Sequence, residues 1–252
     1  MITFLQATVE GLSLAAIYSL VAIGFVLIYK SMDVLSFAQP ALAVVGAGII
    51  SALAVDRGFP FLPSLILAIL LTGILSSTVE RTFLRPMVGE PVFSVAVLTI
   101  GIDILLRTLL DSWIGVSPRY LGDPFPNYGT LGSFNIGGIN LKYLEISALL
   151  TAIILISILS IFFKKSKYGV AMRATSFDQE AALAQGINVG RIFGLVWFIA
   201  GILAAFSGFF MTGGFNTLSQ FSFVKALRAL PAVVIGGLDS IPGAIVGSII
   251  IG

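Results

Sequence analysis

The chain has 252 residues, of which 58% are hydrophobic and only 10% charged, with a formal net charge of +2 and neither Cys nor His. A soluble globular domain carries roughly 25% charged residues, so apolar surface on this scale is hidden only in lipid, and as helices rather than as the alternating strands of a barrel. The missing Cys and His remove disulfides, thiol and imidazole catalysis and the usual zinc ligands, and the small net charge gives no basis for binding nucleic acid.

Apolar runs of about 20 residues cross a bilayer as helices. Such runs lie at 11–29, 34–55, 61–79, 92–110, 144–163 and 192–211. The first has no basic residue before Lys30, so it lacks the basic start of a secretory signal and is expected to stay as a membrane helix. Two shorter pieces follow, at 224–238 and 241–252. The second would reach only about 18 Å at 1.5 Å per residue. It is expected either to be a half-helix dipping into the membrane or to continue beyond Gly252, and the apolar run without a cap or basic anchor favours continuation. The fold class is all-α: a polytopic membrane protein of about seven or eight transmembrane or re-entrant helices, some discontinuous, in a single domain over 1–252.

Basic residues set the orientation. Lys30 follows the first span, Arg81 and Arg85 the third, and Lys164, Lys165, Lys167, Arg173 and Arg191 fall between the fifth and sixth. One parity puts these three loops in the cytoplasm and the N-terminus outside. The segment 111–143, rich in Gly, Pro, Asn and Tyr, then reads as a structured external loop or short hairpin. Lys225 and Arg228 fit this parity poorly and point to the outer side or to a re-entrant segment.

The second span carries "LSFAQPALAVVGAG". Pro40 removes a backbone donor and disfavours helix at Gln39, which predicts a discontinuous helix whose freed polar groups face protein or a water-filled cavity. The competing expectation places Pro40 in the first turn of the helix, where proline is tolerated. "GGLDSIPGAIVGS", with Gly236, Gly237, Asp239, Ser240, Pro242 and Gly243, is a similar interruption. On "GIDILLRTLLDSW", Asp103, Arg107 and Asp111 share one helix face; an Asp103–Arg107 pair is the plain expectation, and a contact to a neighbouring helix or a gate is the sharper one. Ser94, Thr99, Asn216 and Gln220 are further candidates for a polar path. On "GILAAFSGFF", Gly201/Ala205 and Ala204/Gly208 are small-xxx-small pairs, expected to pack helices.

"KKSKYGVAMRATSFDQEAALAQGINVGR", 164–191, is polar, charged and helix-prone between two apolar runs. Gly186 can close a helix there, and Ser176, with Gln179 three residues on, can cap a second one. Three readings stay open from the residues alone: a solvated loop near anionic lipid, an interfacial amphipathic helix, or a helix that docks in a partner.

Three ordered stretches resemble one family. "GLSLAAIYSLVAIGFVLIYKSMDVLSFAQPALAVVGAG", "YGVAMRATSFDQEAALAQGINVGRIFGLVWFIAGILAAFSGFF" and "KALRALPAVVIGGLDSIPGAIVGSIIIG" are similar to LivH-type permease subunits of branched-chain amino acid ABC importers. The resemblance implies a permease in a bacterial or archaeal plasma membrane, with two ATPase subunits that hold ATP and magnesium. It further implies a second permease subunit, LivM-like or a second copy, and an external solute-binding protein. It implies a coupling helix within 169–190, for which Gly169, Arg173, Ala174, Glu180, Ala181, Ala182 and Gly186 are the candidates. A zwitterionic solute has to be shielded from lipid, so the interrupted backbone and the polar groups of the spans give the expected path: Phe37, Gln39, Pro40, Ser94, Thr99, Gly236, Gly237, Ser240 and Gly243. The chain departs from the family pattern where Asn-Phe-Ala-His-Gly is replaced by Ser36, Phe37, Ala38, Gln39 and Pro40, and where Asp239 stands at a usual Gly. No phosphate-binding G-x-x-x-x-G-K-[ST] loop occurs, so the chain itself is expected to bind no cofactor and to catalyse nothing. An ion-gradient-driven transporter is the alternative function, and an intramembrane enzyme is disfavoured for want of catalytic groups.

Overall fold

The computed structural model describes residues 2–121, 132–136, 139–213, 217–219 and 221–252. Asn216, Gln220 and part of the segment 111–143 lie outside them. In chain order the elements are α1 (Ile2–Met32), α2 (Ala38–Ser51), α3 (Phe61–Val79), α4 (Val92–Ile114), β1 (Ser133–Ile136), β2 (Ile139–Lys142), α5 (Tyr143–Lys165), α6 (Lys167–Phe177), α7 (Gln179–Ala184), α8 (Val189–Thr212), α9 (Ser222–Leu227), α10 (Ala229–Gly236) and α11 (Ile241–Ile251). A π-helical turn, Ala52–Asp56, extends α2; another, Glu80–Leu84, and a 3-10 turn, Arg85–Met87, extend α3. Among the described residues six helices are long and apolar enough to cross a membrane, at the six places the apolar runs predict. The polytopic helical fold holds, with one small addition. β1 pairs antiparallel with β2, Ser133 opposite Lys142 and Ile136 opposite Ile139, within the segment expected to be a structured loop or hairpin.

Contacts between distant segments sort the helix ends into two groups. Lys30 Nζ reaches the Asp239 carbonyl at 3.5 Å, Gln179 Nε2 reaches that of Ser31 at 3.5 Å, and Arg85 reaches that of Gly190 at 2.6 Å. One end, called the basic end below, therefore holds the close of α1, the extension of α3, the α6–α7 segment and the α10–α11 turn. At the opposite end Gln6 exchanges hydrogen bonds with the backbone of Asn140, and Arg119 pairs with Asp56 at 2.5 Å and with the Leu218 backbone. The pair of strands is tied to α5 by Lys142 Nζ and Glu145 Oε1, 2.8 Å apart; that hydrogen bond pushes the Lys142 ammonium above the usual lysine range.

The centre of the bundle is α2. All of its residues are buried, among α1, α3, α4 and α8. Its sequence permits this because glycines and alanines face the neighbours. A Cβ on Gly208 would stand 1.9 Å from the Ala43 carbonyl oxygen, and one on Gly46 would stand 2.7 Å from Ala205 Cα. Gly201 rests as closely on α3, where a Cβ would meet Ser76 Cβ at 2.6 Å. The small-xxx-small stretch of α8 is thus the packing surface expected of it, with Gly201 turned to α3 and Ala205 and Gly208 turned to α2. α5 is peripheral, with Ala148, Ala152 and Leu159 its buried residues.

Several boundaries differ from the sequence reading. α1 ends at Met32, Asp33 takes a positive φ of 55°, and α2 starts only at Ala38. Of the two expectations for Pro40, the structure bears out the first-turn one: Pro40 is the third residue of α2 and does not split the span, and its ring meets no upstream carbonyl there. The irregular backbone lies just before it, buried at Val34 and Ser36. α4 runs on to Ile114, so Asp111 is helical and the following loop starts at Gly115. The piece 224–238 is two short helices, α9 and α10, with Arg228 between them. α10 and α11 then turn back on each other through glycines: a Cβ on Gly236 would lie 2.1 Å from the Gly243 carbonyl oxygen, and one on Gly247 would lie 2.0 Å from that of Ala232. Segment 241–252 is an 11-residue helix and end-cap laid along α1, its last carbonyl 3.0 Å from where a Gly11 side chain would begin.

Gly208→Leu is expected to force α2 and α8 apart and to cost about 3 kcal/mol or more, as overpacking does in a filled core. Gly101→Ala, where nothing stands within 4 Å of the new methyl, is expected to be neutral or slightly stabilising. Thermal unfolding of the detergent-solubilised protein measures both; equal effects would overturn the packing account.

Candidate functional site

The polar stretch forms two short helices at the basic end. Ser166 caps α6, its Oγ accepting from Gly169 N at 2.9 Å, and Asp178 caps α7, its Oδ1 accepting from Ala181 N at 2.9 Å. The expected second helix exists, but its cap is Asp178; Ser176 lies inside α6. Asp178 has the extended backbone of a cap residue (φ −156°), which Ser176, still in the helix, has not. Gly186 closes α7 with φ +79°, as expected. Gly169 is required for another reason: α6 doubles back so tightly on α5 that a Cβ would stand 2.6 Å from the Phe163 carbonyl oxygen. Arg173 donates to that same carbonyl, tying the two helices together. Of the other candidates, Glu180 and Ala181 are exposed, Ala174 is half-buried, and Ala182 is buried against Val189 and Phe193 of α8. Phe177, which the sequence did not single out, stands at the α6–α7 junction 94% exposed. Its signal was an aromatic residue beside a helix cap in an otherwise alanine-rich segment.

The end of this segment is clamped to α3. In the π-helical turn, hydrogen bonds span five residues, so Glu80 and Arg85 come side by side. Glu80, fully buried, accepts two bonds from Arg85, Nε to Oε1 at 3.1 Å and NH2 to Oε2 at 2.8 Å. The same NH2 donates to the Gly190 carbonyl at 2.6 Å, one residue into α8. Gly190 and Gly194 leave the room: side chains there would begin 3.3 Å from Arg85 Cζ and 3.5 Å from Glu80 Oε2. A sequence reading sees Glu80 and Arg85 five apart, a spacing an α-helix does not pair. Only the wide turn makes them partners.

A second polar group lies at the start of α2. Phe37 N donates to Thr99 Oγ1 of α4 at 3.1 Å, which gives one free amide of the helix start a partner. Gln39 is enclosed between α1 and α8. Its Nε2 donates to the Ala200 carbonyl at 3.0 Å, and only the absent side chain of Gly24 lets it fit, since a Cβ there would lie 1.9 Å from Nε2. Gln39 Oε1 and Ser36 Oγ are buried with no partner among the described residues. Phe37 and Thr99 therefore meet at the start of α2, while Gln39 turns between α1 and α8, with Pro40 buried beside it in the chain. Gly236, Gly237, Ser240 and Gly243 form a separate group in the α10–α11 turn, where Ser240 Oγ accepts from Gly243 N at 3.1 Å and Gly237 has φ +93°. Ser94 is exposed in the first turn of α4 and joins neither group. Asp239, the departure in that turn, offers its carbonyl to Lys30.

The family of permease components of branched-chain amino acid transport systems matches residues 7–252. The chain belongs to that family. It is similar to the high-affinity branched-chain amino acid transport system permease protein BraD of Pseudomonas aeruginosa, 26% identical over 258 residues, covering 99% of this chain and 84% of that protein. LivH of Escherichia coli strain K12, of the same description, is 26% identical with the same coverage. A probable branched-chain amino acid transport permease LivH of Methanocaldococcus jannaschii is 25% identical, covering 94% of this chain and 77% of that protein. No solved structure matches. Membership of a permease family favours the importer reading over the ion-gradient one.

The permease also carries charge inside its fourth helix. Asp103 and Arg107 form the i, i+4 pair expected of them, at 2.5 Å, and Arg107 also lies 4.1 Å above the ring of Phe223 in α9. The pair and the contact to a neighbouring helix are therefore both present. Arg107 borders a cavity of about 220 Å³ at the end opposite the basic one, lined also by Val44, Asp111, Arg119 and Leu218.

Arg85→Ala would leave Glu80 buried without its cation and is expected to cost on the order of 3 kcal/mol. Glu80→Met with Arg85→Met removes both charges and is expected to restore most of that loss. Unfolding temperatures of the two variants test this; a double variant less stable than the single one would refute the clamp.

Proposed function

We propose that this permease, acting as one transmembrane domain, forms half of the path of an ATP-driven importer for branched-chain or other small amphipathic amino acids. Two ATPase subunits would hold ATP and magnesium, a second permease subunit, LivM-like or a second copy, would complete the path, and an external solute-binding protein would deliver the solute. The basic end would face the cytoplasm and the N-terminus the outside, in keeping with the bias of Lys and Arg. The observation that carries this reading is the α6–α7 segment: short, not lipid-spanning, and bearing an almost fully exposed aromatic ring at its junction, Phe177. An exposed aromatic anchor on a small-residue helix pair fits a pocket in a partner.

In the proposed cycle, closure of the ATPase pair moves α6–α7, with Gly169, Arg173, Ala174, Glu180, Ala181, Ala182 and Gly186 shaping the handle. Because α7 runs into α8 through Gly186 and Gly190, and Arg85 ties Gly190 to α3, motion of the handle would be passed to α8 and α3 together. α8 packs on α1, α2 and α3, so its displacement changes the surroundings of the α2 start. Phe37, Gln39, Pro40 and Thr99 would line the path there, supported by the two unpaired buried oxygens of Ser36 and Gln39. Gly236, Gly237, Ser240 and Gly243 would supply a second, backbone-rich lining. A zwitterion crossing lipid needs such polar backbone and side-chain partners, since unpaired charge in hydrocarbon is costly.

Phe177→Ala is expected to weaken attachment of the ATPase subunits about tenfold or more, the effect of losing an interface anchor. Co-purification of the ATPase and ATP-driven uptake should fall together; unchanged values of both would remove the handle from the mechanism. Gln39→Leu, close in volume, is expected to leave folding intact and to change the ranking of labelled amino acids in a competitive uptake panel. An unchanged ranking would take Gln39 off the path.

A further inference from the structure

The clamp borders a groove that the proposed transport cycle does not invoke. Between the last turns of α3 and the first turns of α8 lies an open groove of about 360 Å³ at the basic end. Three guanidinium groups reach it, from Arg81, Arg85 and Arg191. Arg85 is held by Glu80 and by the Gly190 carbonyl, so its charge is matched by the Glu80 carboxylate. Arg81 and Arg191 are exposed and make no side-chain hydrogen bond or ion pair among the described residues. The groove therefore carries two uncompensated positive charges beside a fixed third. Its floor at Gly190 and Gly194 has no side chains, and its far wall is Leu195 and Phe198. On α3, one turn before Ser77 of the groove, Leu67, Leu70, Leu71 and Ile74 form an exposed apolar row on one helix face, with the character of a lipid-facing surface.

We propose that this groove binds the phosphodiester headgroup of an acidic glycerophospholipid from the leaflet at the basic end, with its acyl chains along that row of α3. Guanidinium groups match phosphate oxygens in geometry and charge, and a basic pocket between membrane helices at the cytoplasmic level suits such a headgroup. The neighbouring apolar row selects a lipid over a free anion. The charge selects an acidic lipid over a zwitterionic one, whose own cation would meet Arg81 and Arg191.

The test uses the purified full chain in detergent, titrated with phosphatidylglycerol or phosphatidylcholine, with bound lipid counted by native mass spectrometry. Phosphatidylglycerol is expected to bind with a preference of about fivefold for each free arginine, the effect of one basic side chain near an anionic lipid surface. Arg81→Gln with Arg191→Gln is expected to bring the two lipids to parity, whereas Arg81→Lys with Arg191→Lys should keep most of the preference and report on folding in its own right. Inorganic phosphate and the soluble headgroup glycerophosphoglycerol should not displace the lipid at equal concentration. Equal binding of both lipids by the unaltered chain, an undiminished preference in the Gln variant, displacement by phosphate alone, or loss of the bound lipid when the ATPase subunits attach would each overturn the proposal. None of these results depends on transport.

Discussion

The close approach of α2 and α8 is the contact on which the rest of the bundle depends. Lipid tails are as apolar as leucine side chains, so burial from water does not hold membrane helices together; dispersion between closely fitted surfaces does. At Gly208 the α8 backbone touches the Ala43 carbonyl, and at Gly46 the α2 backbone meets Ala205. That fit lets α2 stand in the centre with every residue covered. α1, α3 and α4 then pack around it, and the peripheral α5 leaves most of its surface to lipid.

A fully covered α2 sets a demand on polar groups. A helix start has free amides, and inside a membrane protein nothing replaces water except other residues. Thr99 meets one amide and Ala200 receives the Gln39 amide, but Ser36 Oγ and Gln39 Oε1 stay unmatched. Some polar groups elsewhere are satisfied: Ser76 donates to the Trp197 carbonyl at 2.7 Å, and Asp103 and Arg107 answer each other. Among the described residues four buried side-chain oxygens lack a partner, on Ser36, Gln39, Glu145 and Thr175, and two of these lie at or just before the start of α2. Buried polar groups without partners cost on the order of 1–3 kcal/mol each, a burden more readily retained where it serves a passing solute.

The basic end joins two kinds of contact that differ in stiffness. The α6–α7 pair is held by caps, by Arg173 on the end of α5 and by the small contact of Ala182 with Val189 and Phe193. The Glu80–Arg85–Gly190 clamp joins a guanidinium to a fully buried carboxylate by two hydrogen bonds and to a carbonyl of α8 by a third, so it is the firmer of the two. The clamp lies where α3 and α8 run side by side, the most extensive helix pairing among the described residues.

Much was legible in the sequence because lipid imposes a simple rule: a crossing helix needs an apolar run of fixed length. The six long helices, the α8 packing face, the Asp103–Arg107 pair and the helix closed by Gly186 all follow from local pattern. Boundaries followed less well, because local propensity does not say whether Pro40 breaks a helix or begins one, or whether Ser176 or Asp178 caps α7; the neighbouring chain decides. The sequence by itself determined that this chain lives in lipid as a set of crossing helices, since the length and apolarity of its runs depend on composition and order alone. Only the tertiary structure decided that Glu80 meets Arg85 across a widened turn, that Gln39 lodges in the space left by Gly24, and that Gly236 and Gly243 press backbone to backbone. Each of these depends on atoms brought within a few ångströms by the packing of separate helices, a distance that spacing along the chain does not encode.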